Sequence, residues 1–165
     1  MKIMFLIRHA KSSWENEQIK DHERKLNKRG LRDASIMGEK LNTLHPAPEK
    51  ILCSTAIRAK ETVQFIKEKW FPLKKVDYTR QLYEGPNSVI LNSIQSIPSS
   101  INSIALFFHN PMITHLANLL DSNSIINIPT CGVVIMTSEK KDWQSIEVGS
   151  GKLVGFEYPK KLLNH

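Results

Sequence analysis

"KIMFLIRHAKSSW", residues 2–14, is the stretch on which the fold turns. Residues 3–7 form a continuous apolar run without alternation, the pattern of a strand buried on both faces of a parallel sheet. The run stops at Arg8 and His9, two basic side chains placed where such a strand would end. Taken alone, the pair is as consistent with a solvated strand end as with a reacting centre.

Outward from this strand, helix and strand signals alternate. Leu31, Ala34, Met37, Leu41 and Leu44 recur at three- and four-residue spacing and predict an amphipathic helix over 30–44, ended by His45-Pro46. "KILCS" (50–54) reads as a second strand and 56–70 as a second helix, with Val63, Ile66 and Trp70 on one side. A short strand is expected near 75–78, a helix over 86–97, and a strong strand at "SIALFFH" (103–109). Asn110-Pro111 then opens a helix to Leu120, with asparagine as N-cap and proline at the first helical position. The tail offers three strands, 132–137, 143–148 and 152–158, separated by turns at 140–142 and 149–151. This order predicts a three-layer α/β/α fold, with a mostly parallel central sheet and antiparallel strands added at an edge. The length, 165 residues, suits a single domain over 1–165 with one sizeable core.

Composition narrows the function classes. The apolar start is cut off by Arg8, His9 and Lys11 before it reaches the length of a signal-peptide core, and no stretch approaches a membrane span, so a cytoplasmic protein is expected. Cys53 and Cys131 sit in apolar, strand-like surroundings and read as buried thiols, without zinc-ligand spacing. The net charge of +7 would draw in anionic substrates or acidic partners. Its basic residues are scattered and accompany no nucleic-acid-binding motif, so neither nucleic acid nor membrane is expected as a partner.

In sheets of this kind ligands bind beyond the carboxyl ends of the strands. There the first strand delivers Arg8-His9, the second Ser54-Thr55 with Arg58 one turn into the next helix, and the "IALFF" strand His109-Asn110. Two guanidiniums are bidentate donors matched to phosphate oxygens, and a helix start at Asn110-Pro111 adds amides beside His109. A phosphoryl dianion is the natural guest. The chain has neither a GxxxxGK[ST] loop nor a carboxylate cluster suited to a metal-dependent phosphatase, so a protein side chain is left to take the phosphoryl group.

These residues resemble a known family. "LIRHAKSSW" is similar to the RH[GA] motif of the histidine phosphatase superfamily, the branch related to cofactor-dependent phosphoglycerate mutases. "CSTAIRAKET" resembles its second motif, with Ser54, Arg58, Ala59 and Thr62 in place; "LYEG" resembles the segment carrying the acid, and "FFHNP" the one carrying the second histidine. With "DHERKLNKRG", the chain looks most like the short SixA-type phosphohistidine phosphatases, from residue 1 to about residue 137. The resemblance implies a phosphoglycerate mutase-like fold and a metal-free phosphatase without cofactor. In it His9 is the nucleophile, Arg8, Arg58 and His109 hold the phosphoryl oxygens, and Glu84 protonates the leaving group. To do so Glu84 would have to stay protonated near neutrality. Arg24 resembles an arginine that reaches towards the phosphate. His9 must attack as a neutral ring, its other nitrogen donating a hydrogen bond, while His109 acts best as a cation favoured by the phosphate.

The implied partner is a phosphorylated protein, such as a histidine-containing phosphotransfer domain, or a small phosphate ester; a monomer is expected. Mutases typically place asparagine directly after the tryptophan, whereas here Glu15 follows Trp14, which argues against a phosphoglycerate substrate. The alternatives are a small-molecule phosphomonoesterase and a phosphate- or phosphoprotein-binding module without turnover. Glu84 beside Gly85-Pro86 also reads as a helix-start carboxylate, and Lys11 and Ser12 as loop residues. Trp14 reads as a packing anchor, and His22, His45, His115 and His165 as surface or structural residues.

Overall fold

The computed structural model describes residues 1–122 and 124–163. Among them six strands form one sheet in the order β3-β2-β4-β1-β5-β6. β1 (Lys2–Arg8) lies between β4 (Ser103–Phe108), parallel to it, and β5 (Val133–Ser138), antiparallel to it. β2 (Lys50–Ser54) and β3 (Val76–Thr79) continue the parallel half, and β6 (Lys152–Glu157) closes the antiparallel edge. The expected mostly parallel sheet with antiparallel edge strands is what folds.

The apolar runs explain why the sheet is covered on both sides. Phe5 and Ile7 of β1, Ala105 and Phe107 of β4, and Val133 and Ile135 of β5 enter one core, under α1 (Lys28–Leu44) and α2 (Ile57–Trp70). The alternate residues Met4 and Leu6, Ile104, Leu106 and Phe108, and Val134 and Met136 enter the other. That second core lies against α3 (Gln81–Glu84), α4 (Asn87–Gln95) and α5 (Met112–Leu120). Opposite pointing of successive side chains thus turns an unbroken apolar run into two cores. A final helix, α6 (Pro159–Leu163), places Leu162 against the first.

Several local expectations need correction. α1 starts at Lys28, before Gly30, because the Asn27 side chain caps it by accepting from the Gly30 amide at 2.9 Å. At Gly30 a Cβ would collide with the Lys11 carbonyl, so glycine lets α1 press directly on the loop that follows β1. The stretch 143–148 is not a strand: Trp143–Ser145 is a 3-10 turn capped by Asp142. Trp143 and Ile146 point into the same core, a spacing of three that a strand's alternation cannot supply. At the start of α5, Pro111 occupies the cap position and Asn110 does not cap. Its side-chain amide instead donates to Asn127 Oδ1 and the Ile128 carbonyl, and its Oδ1 accepts from Thr114. His165 lies outside the described residues.

Candidate active site

Parallel register brings the chemistry together. Arg8 pairs with Phe108 and Cys53 with Phe107, so the next residues, His9, Ser54 and His109, leave the same sheet edge side by side. His9 is pinned by its backbone: its amide donates to the Phe108 carbonyl, and its carbonyl accepts from the Cys131 amide at 3.0 Å. Cys131 holds a left-handed φ of 59°, unusual for a residue with a side chain, and its thiol is free and buried, as is that of Cys53. The Ala10 amide donates to Thr62 Oγ1, which donates to the Arg58 carbonyl, tying the loop after β1 to α2.

The His9 ring is buried and its tautomer is fixed. Nδ1 lies 2.8 Å from the Ala10 carbonyl, which can only accept, so the ring proton sits on Nδ1 and the lone pair on Nε2. Arg58 Nε faces that lone pair at 3.4 Å. Burial lowers the His9 pKa to about 3; the Ala10 carbonyl opposes this, and the charges of Arg58, Arg8 and Arg24 add to it. The ring is therefore neutral, with its Nε2 lone pair turned towards Arg58 Nε. His109 stands opposite, ring centres 5.0 Å apart, with Nε2 held 2.7 Å from Ser54 Oγ. Burial, then His9 and Arg58, push its pKa down to about 2, so His109 is neutral unless an anion lies beside it.

Arg8 donates from Nη1 to the Ile128 carbonyl at 2.8 Å. Its Nε and His109 Nδ1 are buried with no partner among the described residues. Orphaned polar atoms are costly, and the charge of Arg8 acts on both the His9 and the His109 ring. Arg24 is buried, stacks over Trp14 at 3.4 Å, and donates to Asp21 Oδ1 and the Ser13 carbonyl. Trp14 is not a core anchor: it is 68% exposed and gains its contact from that guanidinium.

Glu84 and Asn110 line a cleft of about 310 Å³ together with Tyr83 and His109. Glu84 is exposed and accepts from Arg80 Nε at 2.8 Å. Asn110 faces the 127–128 segment with its side chain, which leaves no free side-chain donor for a phosphate. Ser12 is buried and bridges to Leu26.

Sequence reading assigns no role to Asp21 or Tyr83, a surface or structural one to His22 and a strand-end place to Thr55; together they build the wall facing Arg58. Tyr83 donates to Asp21 Oδ2 at 2.8 Å, and its ring meets both His22 and His109 edge-on. His22 Nε2 lies 2.8 Å from Thr55 Oγ1, so it is not a free surface histidine. The available signal was the three-residue spacing of Asp21 and Arg24, which places both on one 3-10 turn. His45 packs edge-on against Phe5, a structural role, and His115 is exposed.

The two depressed histidines set an acid limit on stability. In the fold both stay neutral far below 6.5, whereas the unfolded chain protonates them near 6.5. As pH falls through 6.5 the unfolded state binds protons that the fold refuses, so stability is lost. The loss between pH 7.5 and pH 5 is about 2 kcal/mol per histidine. Denaturant midpoints at the two pH values should show it, with a shallower slope in His109→Gln. An unchanged slope in that variant would place the acid sensitivity elsewhere.

Among the described residues, no three His, Cys, Asp or Glu side chains are grouped as a metal ion would require, and no helix is long and apolar enough to cross a membrane. A family model described as "Histidine phosphatase superfamily (branch 1)" matches residues 4–86. An uncharacterized protein of Mycobacterium leprae is 34% identical over 166 residues, 93% of this chain and 100% of that protein. Among solved structures, the protein histidine phosphatase SixA complexed with tungstate superposes with a TM-score of 0.84 at 18% identity, over 97% of this chain and 99% of that one. A mycobacterial glucosyl-3-phosphoglycerate phosphatase complexed with VO3 gives 0.73 at 12% identity, over 96% of this chain and 100% of that one.

Proposed function

Because the chain belongs to the histidine phosphatase superfamily and has the fold of SixA, we propose that it is a phosphatase that removes phosphoryl groups from protein phosphohistidine, by way of a covalent phospho-His9 and without a metal. One observation carries this reading. A neutral His9 holds its proton on Nδ1 and presents Nε2 to Arg58 Nε at 3.4 Å, with the His109 ring centre 5.0 Å away. The charges of Arg8 and Arg58 bear on both rings, and Arg8 Nε and His109 Nδ1 are buried without a partner among the described residues. That combination is a nucleophile with an anion cradle around it.

In the first step His9 Nε2 attacks phosphorus, the P–N9 bond forms, and the bond from phosphorus to the leaving nitrogen or oxygen breaks in line. Arg8 and Arg58 hold the equatorial oxygens, and the phosphoryl dianion makes a charged His109 favourable, so that Nδ1 can donate. Water then attacks the phosphoryl group, the P–N9 bond breaks, and inorganic phosphate leaves with His9 restored. An imidazole leaving group needs an external proton less than an alkoxide does. The exposed, Arg80-paired Glu84 therefore suits phosphohistidine. Its place in the cleft with His109 favours a second reading, hydrolysis of small phosphate esters, in which Glu84 supplies the proton. A cytoplasmic location belongs to the proposal and is supported by the two buried free thiols.

A substrate panel in excess EDTA tests the assignment: phosphohistidine protein, free phosphohistidine, and aryl and alkyl phosphates. Fastest turnover on phosphohistidine protein, unaffected by the chelator, is expected. Turnover confined to alkyl esters would transfer the assignment to the second reading, and full loss in EDTA would remove the metal-free mechanism.

A further inference from the structure

Asp21 makes more contacts with the candidate catalytic arginines than any residue the sequence pointed to. Arg58 donates from Nη1 to the Asp21 carbonyl at 2.7 Å and from Nη2 to Asp21 Oδ2 at 3.0 Å. This engages the outer fork of the guanidinium, the pair of N–H groups farthest from Cδ, and leaves the Nε side facing His9 Nε2. The same carboxylate takes Arg24 Nε at 3.2 Å through Oδ1 and the Tyr83 hydroxyl at 2.8 Å through Oδ2. The turn carrying it is anchored in turn by the pairing of His22 with Thr55, just past the end of β2. Asp21 thus accepts hydrogen bonds from three side chains at once, those of Arg24, Arg58 and Tyr83, on three segments remote in sequence from one another.

We propose that Asp21 is a positioning residue: it fixes the rotation of the Arg58 guanidinium so that its Nε edge faces the attacking nitrogen, and it locks Arg24 to the same carboxylate. The inference rests on the phosphatase reading and adds to it the group that sets the angle of the phosphoryl-holding arginine. Without that carboxylate, Arg58 can rotate about its last torsions, and Arg24 and Arg58 lose the anion that offsets the repulsion between them. Burial raises the Asp21 pKa, but the Tyr83 hydrogen bond, Arg58 and Arg24 outweigh this and hold it below the usual carboxylate range, so it stays anionic at neutral pH. The phosphoryl group shares Arg58 with Asp21, using the Nε edge while the carboxylate keeps the outer fork.

Asp21→Ala and Asp21→Asn, compared with wild type on an aryl phosphate and in inhibition by inorganic phosphate, test this. Asp21→Ala should lower kcat by about 10²-fold, the scale of a misplaced catalytic group, with most of the loss in kcat and little in KM. Asp21→Asn keeps a carbonyl oxygen for one arginine and should recover part of that loss, with thermal midpoints of both variants near wild type. Wild-type kcat in Asp21→Ala overturns the proposal. So does tighter inhibition by inorganic phosphate with faster turnover, which would make Asp21 a competitor for the arginines. Equal losses in both variants, tracking a fallen thermal midpoint, would make it a fold residue only. A wild type that neither hydrolyses a phosphate nor binds inorganic phosphate removes the phosphatase reading, and this one with it.

Discussion

Replacing His9 with alanine is expected to lower turnover of any substrate the wild type accepts by about 10⁴-fold or more, the scale of removing a covalent nucleophile. The size follows from how much of the site serves this one atom. The Ala10 carbonyl fixes the tautomer, burial keeps the ring neutral, and Arg58 Nε meets the lone pair at 3.4 Å. His109 does not take over, because with a phosphoryl dianion beside it the ring is charged and its Nδ1 donates, leaving no lone pair to attack with. The variant should keep its affinity for inorganic phosphate within the same order of magnitude, since the arginines remain. Retention of even a tenth of the wild-type rate would mean that water attacks the substrate directly.

The second large effect is at Arg58, where alanine should lower kcat by about 10²–10³-fold, as expected when one preorganised donor to a charged transition state is lost. Lysine should recover little of it. It restores the charge but neither the planar edge facing His9 nor the outer fork held by Asp21. Steady-state kinetics of the two variants check this directly; recovery of most of the rate by Arg58→Lys would show that charge alone matters there.

The parallel half of the fold was legible because its determinants are local. The run at residues 3–7 and the one at 104–108 are apolar without alternation, which only strands covered on both faces need. The gathering of Arg8, His9, Arg58 and His109 was legible because parallel strands deliver their carboxyl ends, and the first turn of the helix that follows, to one edge. Residues 143–148 misled because an apolar residue every third position mimics a short strand when the cap at Asp142 is overlooked. Asp21 and Tyr83 went unassigned because the partners that place them, Arg58 and each other, lie far along the chain, and only the spacing of Asp21 and Arg24 is local. Asn110 was placed correctly beside His109, but its side chain answers to the 127–128 segment, a tertiary contact that the Asn-Pro pair does not encode.

The central claim is that His9 carries the phosphoryl group between the two half-reactions. Its most direct test is a rapid alkaline quench during turnover, followed by mass spectrometry of the peptide that contains residues 3–11. A single phosphoryl group on His9, absent from His9→Ala and lost once substrate is exhausted, is the predicted result. Full-rate hydrolysis with His9 unmodified at every time point, or with the label on His109, would contradict it.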